Sequence, residues 1–119
     1  MSNIKSALVN TIVEAIQDKK GENITILDMQ KLDSSITDYF IICEGSSTAQ
    51  VDTIADSVEE LTRIRLKDKP VHVEGRENAT WILLDYHNVI VHIFHRDTRE
   101  FYSLESLWSD AERTDIAPI

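Results

Sequence analysis

The sequence predicts an α/β domain: a mixed five-stranded sheet flanked by helices, in the order α-β-β-α-β-β-β-α. Three observations predict it. The run Tyr39-Phe40-Ile41-Ile42-Cys43 is apolar on both faces, as a strand in the middle of a sheet must be. A helical repeat over residues 48–66 follows it directly. Three β-rich stretches joined by tight connections then come after Pro70.

Residues 3–18 read as an amphipathic first helix, with Ile4, Ala7, Leu8, Thr11, Ile12, Ala15 and Ile16 at helical spacing and Asn3 as N-cap. Lys19-Lys20-Gly21 suits its end, where cations complement the dipole and glycine can turn left-handed. Ile24 to Met29 is rich in β-formers and reads as the first strand; after the polar stretch 30–37 the second covers 38–44. Ser47 and Gln50 have the spacing of a capping box opening the long helix. Val51, Ile54, Ala55, Val58 and Leu61 form its buried stripe, with Asp52, Asp56, Glu59 and Glu60 mostly on the wet side. This helix permits a parallel crossover between the second and third strands. The last three strands fall at 71–75, 80–86 and 88–95, with Asp85-Tyr86-His87-Asn88 as the turn of the final hairpin. Ser103 could cap a last helix, Leu104 to Glu112, before an irregular tail, Ile116-Ala117-Pro118-Ile119.

At 119 residues the chain fits a single domain spanning 1–119. Its 21 acidic residues outnumber 12 basic ones, for a net charge of −9. Phosphate backbones repel such a surface and no basic stripe interrupts it, which argues against direct, sequence-specific nucleic-acid binding. A basic protein partner remains open. No apolar stretch approaches the roughly 20 residues of a membrane span, and the N-terminus lacks a signal peptide's apolar segment, so no membrane partner is expected and the chain reads as cytoplasmic. The lone Cys43 rules out an internal disulfide framework and reads as a small buried hydrophobe.

Catalytic and metal chemistry find little support, and neither a cofactor nor a metal is expected. His92 and His95 are three apart on a strand and point to opposite faces; His92 reads as a neutral, hydrogen-bonded core histidine. Gly45-Ser46 sits at a strand-to-helix junction, where nucleotidyltransferases bind phosphate at helix-end amides. Their paired metal-binding carboxylates are missing from the next strand, Val71-His72-Val73-Glu74, and Asp85 stands alone. No nucleophile elbow, phosphate loop or dinucleotide fingerprint occurs. The reading is therefore a binding protein and not an enzyme, with a nucleotide-binding or degenerate nucleotidyltransferase-like protein as the alternative. On the fourth predicted strand, Trp81, Leu83 and Asp85 share one face, while Ile82, Leu84 and Tyr86 share the other. Trp81 is either core or an interface anchor. Phe101-Tyr102 and Leu107-Trp108 pose the same choice, with packing of the last helix onto the sheet preferred.

Ser34-Ser35-Ile36-Thr37-Asp38-Tyr39-Phe40-Ile41-Ile42-Cys43-Glu44-Gly45-Ser46-Ser47 resembles the central signature of the ribosomal silencing factor (Iojap) family. Glu74-Gly75, Trp81 to Tyr86 and Val89 to Phe94 match a second signature, and Arg99 to Trp108 completes the set. One departure stands out: His87-Asn88 replaces the family's usual Gly-Asp at the hairpin. The resemblance implies a nucleotidyltransferase-like fold and members that can form homodimers. It also implies translational repression: the family binds the large ribosomal subunit through its fourteenth protein and sterically blocks the small subunit, with a further part in large-subunit maturation. Under that resemblance Trp81, Asp85 and Tyr86 become the expected interface residues, followed by Asp38 and Tyr39, and the net charge of −9 steers the chain toward a basic ribosomal protein.

Overall fold

The structure is a computed structural model that describes residues 6–32 and 37–118. Asn3 and Ile4, expected to open the first helix, and Ser34 to Ile36 of the first signature lie outside those residues, as does Ile119. Helix α1, Ala7–Asp18, is capped by Ser6, whose Oγ accepts from the Val9 amide at 3.1 Å. It is followed by β1 (Glu22–Asp28), β2 (Tyr39–Gly45), α2 (Thr48–Leu66), β3 (His72–Glu74), β4 (Trp81–Asp85) and β5 (Val89–His95). The chain ends in two short helices, α3 (Arg96–Tyr102) and α4 (Leu104–Leu107), and a strand, β6 (Glu112–Asp115).

The mixed α/β sandwich of one sheet between helices is as expected, but the sheet has six strands in the order β3-β4-β5-β2-β1-β6, not five. The sixth is β6, which pairs antiparallel with β1 from Thr25↔Asp115 to Asp28↔Glu112. It replaces the end of the expected Leu104 to Glu112 helix, which stops at Leu107. Ser103 has a left-handed φ of 49° and makes no side-chain capping bond; it is the joint between α3 and α4. The long helix gives β2 a parallel neighbour, yet that neighbour is β5, through Tyr39↔Val89 to Gly45↔His95, and not the third strand. The reason lies in the hairpins: β3, β4 and β5 form an antiparallel meander that turns back toward β2, so its last strand meets β2.

Local chemistry explains the boundaries. The Ser47 hydroxyl accepts from the Gln50 amide at 3.1 Å, one half of the expected capping box. The other half shifts by one residue, because the Gln50 side-chain oxygen accepts from the Ser46 amide at 2.7 Å. At the end of α1 the left-handed residue is Lys20, with φ 60°, and not Gly21. Gly21 is needed for close packing instead: a Cβ there would lie 2.4 Å from Ile16 Cγ2.

The sheet separates two cores. On one face α1 and α2 pack Leu8, Ile12, Ile16, Val51, Ile54 and Val58 over Ile26, Ile41, Ile82, Leu84 and Val91. Cys43 lies in this core, and burial pushes its thiol up to about 12, so it is the inert hydrophobe expected. The opposite face holds a smaller cluster, Leu27, Met29, Phe40, Ile42, Ile90, Phe94 and Leu104.

A buried cation fastens α3 to this second face. Arg99 is 7% exposed; its Nη2 donates to Thr25 Oγ1 at 3.1 Å and its Nη1 reaches Glu44 Oε1 at 3.3 Å and the Asn23 carbonyl. Glu44 also receives Arg96 Nε at 3.2 Å, and Thr25 donates to Asp115 of β6 at 2.8 Å. One guanidinium thus joins α3, β1 and β2, and through Thr25 the last strand. Removing it leaves Glu44 buried with only Arg96 as counter-ion. Arg99→Met is therefore expected to cost about 3 kcal/mol, the lower end of values for a broken buried pair. Urea unfolding measures this, with Arg99→Met/Glu44→Leu recovering part of the loss; a single-variant cost under about 1 kcal/mol would remove Arg99 from its central place.

Candidate functional site

Strand β4 begins where the backbone is most crowded. Gly75 has φ +89°, and a Cβ there would lie 2.0 Å from the Trp81 carbonyl oxygen, so no side chain fits as the chain passes the head of the strand. Strand alternation then places Trp81, Leu83 and Asp85 on the face away from α1 and α2, all three half-buried. His72 and Glu74 of β3 pair with Asp85 and Leu83 and so share this face; both are exposed, 3.4 Å apart.

Trp81 is the centre of an aromatic series. Its ring stacks on Phe94, its cross-strand partner, with centroids 4.9 Å apart and planes 26° apart. On the other side Tyr102 of α3 lies 4.6 Å away, and Phe101 meets Tyr102 edge-on at 5.1 Å. Burial falls steeply along this series: Phe94 is fully buried, whereas Tyr102 is 49% and Phe101 81% exposed. Leu107 of α4 is 70% exposed. Under the indole, Trp81 Nε1–H donates to His92 Nδ1 at 3.1 Å. His92 is 4% exposed, and desolvation lowers its pKa to about 4, so it is the neutral, hydrogen-bonded histidine expected.

The structure brings together only part of the expected site. Trp81 and Asp85 share a face but occupy opposite ends of β4, roughly 13 Å apart along the strand. Asp85 Oδ1 accepts from the His87 amide at 2.8 Å and so helps to shape the hairpin turn. His87 adopts φ 75°, the left-handed conformation that glycine takes most easily; the turn forms without it. Tyr86 points the other way. It is 4% exposed beneath α2, its hydroxyl 2.9 Å from Thr62 Oγ1, and burial raises its pKa to about 12. Asp38 is exposed and its amide donates to the Asn88 carbonyl at 3.1 Å, beside the same turn as Asp85. Tyr39 is half-buried against the α1–α2 side, its hydroxyl donating to Gln30 at 3.4 Å; desolvation, then Asp28 and Asp38, hold that hydroxyl above its usual pKa.

Phe101, Tyr102 and Leu107 are the residues that sequence reasoning assigned to packing. Of the apolar residues from 101 to 108, Leu104 and, in part, Trp108 pack inward, Trp108 edge-on to Phe40 at 5.8 Å. An apolar pair with no helical repeat behind it, Phe101-Tyr102 after the five polar or charged residues Arg96 to Glu100, was the available signal. The outcome is an open aromatic face with acidic Glu74 and Asp85 along it, a surface suited to a partner that is apolar in its centre and basic at its rim. The strand-to-helix junction offers less: Ser46 and Gln50 amides are already bonded within the junction, so they are not free to hold phosphate. Among the described residues no group of three or more His, Cys, Asp or Glu could hold a metal ion, and no helix is long and apolar enough to cross a membrane.

A family model described as "Ribosomal silencing factor during starvation" matches residues 2–119. The chain is 40% identical over 112 residues to ribosomal silencing factor RsfS of Halalkalibacterium halodurans, covering 92% of each sequence. It is similar to a crystal structure of a protein from Bacillus halodurans, with a TM-score of 0.78, 35% identity, and coverage of 92% of this chain and 97% of the other. A more distant relative is the mouse protein named mitochondrial assembly of ribosomal large subunit protein 1, 24% identical over 103 residues, which are 85% of this chain and 45% of that protein.

The buried histidine makes stability depend on pH. The unfolded chain takes up a proton near pH 6.5 and folded His92 only near pH 4, so stability is lost as pH falls through that window. The loss is on the order of 3 kcal/mol. Urea midpoints at pH 7 and pH 4.5 should therefore fall further for the native protein than for His92→Phe. Equal falls would mean that His92 titrates alike in both states.

Proposed function

The chain belongs to the family of ribosomal silencing factors, and on that premise we propose that it represses translation by binding the large ribosomal subunit and standing in the way of the small one. The fourteenth protein of the large subunit is the proposed contact. The observation that carries this reading is the open aromatic series Trp81–Tyr102–Phe101 on a sheet face that its helices do not cover. Tryptophan and tyrosine in such positions commonly dominate interface energies. Glu74 and Asp85 on the same face, within a net charge of −9, fit a basic ribosomal protein.

The action proposed is steric and needs no reaction; the chain acts as one unit over residues 1–119, in the cytoplasm where subunits meet. The name of the mouse relative supports a further part in large-subunit maturation. The strand–Gly45-Ser46–helix junction supports a nucleotidyltransferase-like scaffold, here turned to binding. Within the site Trp81, Phe101 and Tyr102 supply apolar area and Asp85 a charge. Asp38 and Tyr39 border the hairpin end, while Tyr86 supports the hairpin from the α2 side. Homodimer formation, implied by the family resemblance, is proposed as well, and sedimentation of the free protein tests it.

Co-sedimentation with purified large subunits at modest ionic strength tests the main proposal. The native protein should travel with them and reduce their joining to small subunits. Trp81→Ala should weaken binding roughly 10- to 100-fold, as loss of an interface anchor does. Phe101→Ser should also weaken it without loss of folding, because Phe101 is 81% exposed. Ile64→Ser, a control at an α2 position 53% exposed, should leave it unchanged. Native protein that stays free of large subunits overturns the proposal.

A further inference from the structure

The polar group beneath Trp81 has a use that burial alone does not explain. We infer that His92 is a positioning residue for the partner-binding face: its Nδ1 holds the Trp81 indole N–H and so fixes the ring that Trp81 offers to a partner. The inference rests on the proposed function for its consequence, though its geometry stands by itself.

Four observations support it. Trp81 is the first residue of β4, and Ala79, two residues earlier, has a positive φ of 54°, so little regular backbone precedes the indole. A large half-exposed ring at a strand end needs a second point of attachment to keep one orientation. The Trp81 Nε1–H to His92 Nδ1 bond of 3.1 Å supplies it. The imidazole is itself fixed, edge-on to Phe40 at 4.9 Å and nearly parallel to Phe94 at 6.2 Å, with 4% exposure.

The second ring nitrogen points to the same role. Among the described residues His92 Nε2 is buried without a hydrogen-bond partner. Accepting at Nδ1 places the proton on Nε2, so the histidine tolerates an unsatisfied donor in order to present an acceptor to the indole. It relays nothing onward; its polar contact goes to Trp81. A pKa lowered to about 4 keeps Nδ1 an acceptor throughout the neutral range.

With this bond broken, the indole N–H would have to turn toward water, drawing the ring from its contacts with Phe94 and Tyr102. The partner would then meet a disordered tryptophan and would have to order it on binding. His92 would thus govern affinity without touching the partner.

The test uses the full-length, nitrogen-15-labelled protein, with Trp81→Phe to assign the indole signal. In the native protein the Trp81 indole N–H should exchange slowly with water. His92→Phe keeps a ring and removes the acceptor; it should shift that signal, speed its exchange and weaken binding to large subunits about tenfold. His92→Asn, whose side-chain oxygen can stand near the Nδ1 position, should restore the signal and most of the affinity. A merely structural role would not produce this selective rescue. Native exchange as fast as that of free tryptophan overturns the inference, even if His92→Phe does not fold. So does His92→Phe binding as tightly as the native protein while Trp81→Ala does not. If the native protein fails to bind large subunits, the proposed function falls, and indole exchange in the native and His92→Asn proteins still decides whether the histidine holds the ring.

Discussion

Helices of 12 and 19 residues lie on one face of the sheet, and helices of only seven and four on the other. Six strands about 4.8 Å apart make a sheet roughly 24 Å across, and a helix covers a strip about 10 Å wide. Helices α1 and α2 can close such a face; α3 and α4, about 10 and 6 Å long, cannot. The second face must therefore end in partly covered apolar side chains. Trp81 and Leu83 are those side chains on the sheet, and Phe101, Tyr102 and Leu107 continue them onto the helices. The candidate site is what remains when too little helix meets too much sheet.

That shortage also explains why α3 is held by charge. A helix of seven residues is not stable by itself, and α3 buries only Arg99. It has too little apolar area to dock by burial. The guanidinium supplies direction instead, with Thr25, Glu44 and the Asn23 carbonyl each fixing one donor. With Arg99 directed inward, the next two residues but one, Phe101 and Tyr102, come to the outer side, where Tyr102 reaches Trp81. A polar anchor thereby sets the position of an apolar surface.

The legible and illegible parts of the sequence divide along the same line. Helix α2 was readable to its ends because Ser47 and Gln50 cap it and Pro70 follows it; β2 was readable because a strand covered on both faces is apolar throughout. Strand β6 reads Glu-Arg-Thr-Asp and carries no apolar alternation, being an edge strand held by backbone pairing and by the Thr25–Asp115 bond. Helix α3 was missed because a polar anchor leaves no 3.6-residue apolar repeat. Alternation correctly set Trp81 and Asp85 on one face and Tyr86 on the other, and only the family resemblance grouped Tyr86 with them. The outward side of Phe101 and Tyr102 depends on how α3 is rotated, which Arg99 decides from 74 to 76 residues away in sequence.

Charge and aromatic area have separate tasks on such a face. Long-range attraction to a basic partner speeds encounter and weakens as salt rises; it acts before contact and needs no fine geometry. Once contact is made, the lifetime of the complex depends on how much apolar surface is buried and how well its shape is kept. A protein that acts by obstruction must remain bound longer than its competitor takes to arrive, so its effect rests on the second task. Net charge can be spread over the whole surface for the first. For the second, a few rings must stand at fixed angles, and under the proposed function the buried histidine below Trp81 would therefore matter more than any one of the surface carboxylates.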